Sequence, residues 1–245
     1  MKCLTVLGIL LTALTAAFSA DSAGTVRLSF NWQHHYAKPV FNLPVFRNVH
    51  GQVYSISMLR YYVGNVSLHR DDGSIHNIPG YHLVIHDDDT DASTDSESTI
   101  DLTQVPRGVY TSLSFTVGID SADNVSGPRE GALDPLHGMY WTWATGYIFF
   151  KLEGSSPASS QPKQLVEYHI GGFSAPYNNV QRITLSLRRP LIVDGTKQST
   201  IDVEFDAGKF IDADGGIDFS VMSGITDAQH ASKFAPRLKG AFSVR

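Results

Sequence analysis

The chain has 245 residues, a formal charge of −5, 42% hydrophobic and 18% charged residues, and a single Cys. That is enough apolar material for one sizeable core, and it argues against intrinsic disorder, which goes with low hydrophobicity and high net charge. The mildly acidic balance speaks against nucleic-acid binding, and one Cys permits neither an intrachain disulfide nor an all-thiolate zinc site.

Residues 1–20 read as a secretory signal peptide. Lys2 supplies a short basic end, Leu4 to Phe18 form an apolar, small-residue run, and Ala17-Phe18-Ser19-Ala20 offers a cleavage site. The run is too short to span a bilayer, and no later segment is apolar enough to do so. The expectation is an exported protein, periplasmic or secreted, whose mature part loses Cys3 with the leader. Residues 21–245 show no internal repeat and no long linker, so they read as one domain.

The dominant pattern in the mature chain has period two. Val26, Leu28, Phe30, Trp32 and His34 alternate with Arg27, Ser29, Asn31, Gln33 and His35, as in a strand with one apolar face. Similar runs follow at Ser55–His69, Gly80–Asp87, Val109–Gly118, Gly146–Glu153, Leu165–Ile170, Val180–Leu187 and Ser199–Phe205. They are rich in β-branched and aromatic residues and are separated by Gly, Pro, Asn and Asp. Asp71-Asp72-Gly73 and Asp194-Gly195 read as hairpin turns. The one helical segment is Thr226–Phe234, with Thr226 as cap and Pro236 as stop. Seven or more strands with so little helix predict an all-β fold, an antiparallel Ig-like or Greek-key β-sandwich with one short C-terminal helix.

From Asp71 to Pro106 there is no Lys or Arg, while nine acids fall there: Asp71, Asp72, Asp87, Asp88, Asp89, Asp91, Asp95, Glu97 and Asp101. A solvated loop is the plain reading, and a docking patch for a basic partner or a weak cation site is the sharper one. Asp212-Ala213-Asp214-Gly215 begins like a calcium loop but lacks its distal Glu.

Motifs of catalysis are missing. The chain has no Gly-x-Ser-x-Gly elbow, no phosphate-binding Gly-rich loop, no dinucleotide fingerprint and no His-Glu-x-x-His. A non-enzymatic protein is expected.

Ten His form the one rich count. Strand geometry sorts them. His34 and His35, as neighbours in a strand, would face opposite sides. His82 and His86 share a face, but four strand steps put them ~13 Å apart. Trp32 and His34 lie on one face ~7 Å apart and can approach one ion. Without thiolate, a transition-metal site leans on imidazole, which suits copper or zinc, with Met139 or Met222 as a soft thioether. An intact indole donates a hydrogen bond and offers no lone pair. Trp141, Trp143 and Tyr147 share one strand parity and form an aromatic cluster. It reads either as a core layer or as an oxidisable platform.

An ordered series of stretches resembles the MbnP-like family of exported copper-binding proteins, in its Bacteroidetes-like branch. The series runs through Leu59-Arg60-Tyr61-Tyr62-Val63-Gly64-Asn65-Val66, Tyr81-His82-Leu83-Val84, Phe115-Thr116-Val117-Gly118-Ile119-Asp120-Ser121 and Gly131-Ala132-Leu133-Asp134-Pro135. It continues with Gly138-Met139-Tyr140-Trp141-Thr142-Trp143, Gly146-Tyr147-Ile148-Phe149, Lys151-Leu152-Glu153-Gly154 and Tyr168-His169-Ile170-Gly171-Gly172-Phe173. The resemblance implies a β-sandwich that holds copper, Cu(I) or Cu(II), for acquisition, storage or delivery. It also implies an ion held by two His and by a Trp oxidised to kynurenine, and a diheme peroxidase-like partner linked to that oxidation. Trp32-Gln33-His34 resembles the Trp-x-His arrangement seen in one relative of that family. On that basis the expected metal residues are Trp32, His34 and His82, with His86, His169 and His35 as alternates. A different reading is a metal-free surface module that binds glycan or protein through Trp141 and Trp143.

Overall fold

The computed structural model describes residues 23–87, 98–141 and 146–245. The expected signal peptide and Trp143 lie outside these residues, as does the acidic stretch Asp88 to Glu97. In chain order the strands are β1 (Gly24–Gln33), β2 (Phe46–Arg47), β3 (Val53–Arg70), β4 (Ile75–Asp87), β5 (Thr99–Val105) and β6 (Gly108–Val117). Helix α1 (Ser121–Val125) precedes β7 (Tyr140–Trp141), β8 (Gly146–Ser155), β9 (Leu165–Gly171), β10 (Phe173–Ser174) and β11 (Tyr177–Asn178). Then come β12 (Gln181–Val193), β13 (Ser199–Asp206), α2 (Ala207–Asp212), β14 (Gly224–Ile225), α3 (Ala228–Ala231), α4 (Leu238–Ala241) and β15 (Phe242–Val244).

Two sheets face each other. One has the order β15-β13-β1-β5, and the other runs β12-β6-β3-β8-β9-β14 with β4 on the free edge of β3. Strand β3 organises the larger sheet. Its first half pairs with β8 and its second half with β6, while β4 follows the other edge from Met58 to His69. The strict alternation of β1 puts Val26, Leu28, Phe30 and Trp32 into the core. There Phe30 meets Tyr61 and Phe115 of the opposite sheet edge-on. Phe150, Phe205, Phe210 and Phe242 fill the layer beside them. A smaller second core of Tyr62, Met139, Trp141, Tyr147 and Phe149 packs with Ile119 and Leu133, from the loop after β6, on the far side of the larger sheet.

The sandwich is as expected, but it is not purely antiparallel. β1 runs parallel to β13, from Val26 opposite Ser199 to Gln33 opposite Asp206, and β14 runs parallel to β9. Asp194-Gly195 therefore closes no hairpin. It links β12 in one sheet to β13 in the other, whereas Asp71-Asp72-Gly73 does join paired strands. The single expected helix is one of several short ones. The segment at 226–234 is helical only over Ala228–Ala231, where Asp227 rather than Thr226 caps it by accepting the His230 N–H. Pro236 does not stop that helix but lies within the next 3₁₀ turn, Ala235–Arg237.

Candidate metal centre at the end of strand β1

The alternation of β1 breaks after Gln33. His34 and Ala37 exchange backbone hydrogen bonds (3.2 and 2.8 Å) and close a four-residue turn. Its two central residues, His35 and Tyr36, have φ of 45° and 69°. Left-handed backbone at two successive non-glycine residues is the geometry of a type I′ turn, and it is unfavourable for such side chains. Neighbouring contacts hold it. Asp206, fully buried at the end of β13, accepts the His35 backbone N–H through Oδ1 and the Gln33 side-chain amide through Oδ2. The same Oδ1 caps α2 by accepting the Lys209 N–H.

The turn changes where the two imidazoles go. His34 and His35 do not point apart; their ring centroids are 4.7 Å from one another. His34 is 7% exposed, stacks on Phe46 at 4.3 Å, and has Nε2 2.7 Å from Tyr54 Oη. Burial holds its pKa below the ordinary value, and adjacent His35 adds to this. Tyr54 is raised, chiefly by burial. His35 is more open. Its Nε2 lies 2.7 Å from Asp212 Oδ2 at the end of α2, and Asp212 Oδ1 accepts the Val49 N–H. The His35 ring lies so close over Gly208 that a Cβ there would come within 2.6 Å of it. Trp32 sits two residues before His34. It is 5% exposed, 6.2 Å from Phe46 and 5.1 Å from Phe41 by ring centroids.

The ring separation is compatible with one shared copper-type ion. Two imidazoles bound to one ion at ~2.0 Å put their ring centres ~4.4–6.2 Å apart for ligand angles between a right angle and a straight line. The observed 4.7 Å lies in that range. Trp32 adds no lone pair as an intact indole.

The other expected ligands lie elsewhere. His82 is opposite Val63 on β3, and Tyr54, which holds His34, is nine strand steps earlier (~30 Å). The structure thus does not bring His34 and His82 together. His82 shares a small hollow of 240 Å³ at the β4 edge with His137 and Thr99. His86 stands opposite Leu59, 6.4 Å from the Tyr61 ring, and lines an open cleft of 770 Å³ together with Trp32 and Glu204. Its Nε2 is sealed from solvent with no hydrogen-bond partner among the described residues, and burial lowers its pKa to about 4. His169 belongs to a cluster with Glu153 and Glu167 whose donor atoms lie within 4.8 Å of one another. Lys151 enters this row too, with Nζ 3.1 Å from Glu153 Oε1 and His169 Nε2 2.8 Å from the same oxygen. That carboxylate is satisfied by the Lys151 ammonium and the His169 ring nitrogen. Trp141 is a core residue, packed against Gly171 and 3% exposed. Sequence reasoning missed Tyr54, Asp206, Gly208 and the role of Asp212. Only Asp212 stood in a noticed motif, and for another ion.

No helix among the described residues is long and apolar enough to cross a membrane. No curated protein matches the chain. A solved structure of similar fold is MbnP from Methylosinus trichosporium, 20% identical, with a TM-score of 0.51 over 77% of each chain. The family model of MbnP matches residues 23–228, from before the first core residue of β1 to the start of α3, and on that match the chain belongs to the MbnP family.

Proposed function

We propose that this is an exported, non-catalytic copper-binding protein, which takes the ion as cargo at the end of β1 for acquisition, storage or delivery. The observation that carries the reading is the approach of the His34 and His35 rings to 4.7 Å, with His34 and Trp32 both packed on Phe46, in a chain of the MbnP family. His34 is kept from the expected set, and His35 replaces His82 as the second imidazole because the β3–β4 register separates His82 from the turn. The surrounding residues orient and shield. Phe46 and Tyr54 fix the His34 ring, Asp206 pins the turn, and Phe41 and Phe46 exclude water from one side of Trp32. Bound copper would supply a redox-active soft cation, for which neutral imidazole is a suitable donor.

Trp32 would join as a ligand only after oxidation to kynurenine, whose aromatic amine and carbonyl provide the missing lone pairs. A diheme peroxidase-like partner is the expected catalyst, with peroxide as the oxidant and the lost ring carbon leaving as formate. Replacing one carbon by one oxygen raises the mass by about 4 Da, a modification visible by intact-mass spectrometry.

The test is to load the purified exported protein with Cu(I) and Cu(II) and to count bound metal. One copper per chain, lost in the His34→Ala, His35→Ala double variant and kept in His82→Ala, supports the reading. No stoichiometric copper, or equal binding by the double variant, overturns it. The glycan-platform reading finds no support at Trp141, which is buried.

A further inference from the structure

We infer that both imidazoles at the end of β1 present Nδ1 to the ion, and that Tyr54 and Asp212 are the positioning residues that impose this by holding the two Nε2 atoms. The inference rests on the copper reading above and adds which atoms bind and which residues set them.

A neutral imidazole has one N–H and one lone pair, so whatever occupies one nitrogen decides what the other can do. At His35 the partner of Nε2 is the Asp212 carboxylate, 2.7 Å away. An ionised carboxylate only accepts, so Nε2 must carry the proton and the lone pair falls to Nδ1. At His34 the partner is the Tyr54 hydroxyl, also 2.7 Å from Nε2. At that distance no ion fits between them. Binding through Nε2 would expel the hydroxyl, which makes no other hydrogen bond among the described residues and lies in a residue only 1% exposed. Leaving such a buried group unpaired is unfavourable, because it loses its only hydrogen bond without regaining water. Binding through Nδ1 keeps the contact, with Tyr54 Oη accepting the Nε2–H.

The backbone agrees with this choice. Nδ1 is the ring nitrogen nearer the main chain, so an ion held by two Nδ1 atoms sits close to the turn itself. The left-handed conformations of His35 and Tyr36 bring the two rings together there, where an ordinary strand would part them. Metal-binding His commonly gives its second nitrogen to a carboxylate or another acceptor, and removing that acceptor lowers metal affinity by roughly 10–100-fold.

The experiment is long-range ¹H–¹⁵N correlation of the histidine rings in ¹⁵N-labelled protein, first without metal and then with diamagnetic Cu(I). The expected pattern is a protonated Nε2 at His35 before loading, and protonated Nε2 with metal-shifted Nδ1 at both His34 and His35 after it. Competition with a chromophoric chelator should show Tyr54→Phe and Asp212→Asn each binding one copper with roughly 10–100-fold lower affinity. The metal-free spectrum does not depend on any variant folding. Metal-shifted Nε2 at either ring, or a metal-free His35 protonated at Nδ1, overturns the inference while copper binding through these histidines stands. Unchanged copper binding in the His34→Ala, His35→Ala variant instead removes the copper reading itself, and the inference with it.

Discussion

His86 should make the protein acid-sensitive in a window set by one half-buried ring whose Nε2 is sealed from solvent. In the native state its pKa is lowered to about 4 from an ordinary 6.5, because burial disfavours the imidazolium more than neighbouring Asp87 favours it. The groups around it are the Tyr61 ring on β3, and Glu204 on β13, which shares its cleft. The unfolded chain binds a proton at His86 near pH 6.5, and the native state resists until about pH 4. The stability His86 contributes by staying neutral is therefore fully present above pH 6.5, declines between 6.5 and 4, and is constant below. At 1.36 kcal/mol per pH unit, the loss by pH 4.5 is about 2.5 kcal/mol. His86→Leu removes this term. Because Nε2 has no hydrogen-bond partner among the described residues, the substitution leaves no known partner unpaired, and stability at pH 7.5 should hold or rise. Urea unfolding of both proteins at pH 7.5, 6.0, 5.0 and 4.5 measures the effect. Every other group is common to both proteins, so the difference isolates the His86 term. A wild-type loss that exceeds the variant's by about 2–3 kcal/mol is expected. Parallel pH profiles would refute the reasoning.

Three further outcomes follow from local geometry. Burial alone would raise the Glu153 pKa, but His169 and Lys151 more than offset it and hold it at about 2. Its contribution is present above pH 4.5 and disappears as pH falls toward 2. Discounted for its partial exposure, Glu153→Gln should cost about 1–2 kcal/mol at pH 7 and almost nothing at pH 2 in thermal melts. Phe150 is fully buried against Tyr61, Phe205 and Phe210, so Phe150→Ala should destabilise by about 3–5 kcal/mol in chemical denaturation. Gly208→Ala would push the His35 ring away from α2. It should weaken copper binding in chelator competition while moving the melting temperature little, since the ring can swing outward; unchanged affinity would count against His35 as a ligand.

The sandwich was legible where burial is one-sided or continuous. The alternation of β1 predicts which residues enter the core, and the run at Ser55–His69 predicts a long strand that emerges as Val53–Arg70. β5 escaped notice because Thr99–Val105 follows the acid-rich stretch, and only Ile100, Leu102 and Val105 mark its buried side. The parallel pairing of β1 with β13 also left no local signal. Pairing between strands so distant in sequence is set by which faces the whole sandwich must bury, and period-two patterning is the same in either direction.

The candidate site shows a different kind of limit. The rule that neighbouring strand residues face apart is sound, and it holds through Gln33. It fails at His35 because the chain leaves strand geometry there with two non-glycine residues at positive φ. Nothing in His34-His35-Tyr36-Ala37 announces this; a type I′ turn normally advertises itself with Asn or Gly. The conformation is imposed from outside, by Asp206 on the His35 amide and by Asp212 on the His35 ring, both more than 170 residues away in sequence. Strain of this kind, costing on the order of 1–3 kcal/mol for each left-handed non-glycine residue, persists only where surrounding contacts over-determine it. Here those contacts bring two imidazoles together beside Trp32. A His35→Gly substitution separates the two roles of that residue. It should relieve backbone strain and leave the turn intact by thermal melting while removing one imidazole from the ion. Full copper affinity in that variant would show that the strained geometry serves the turn alone.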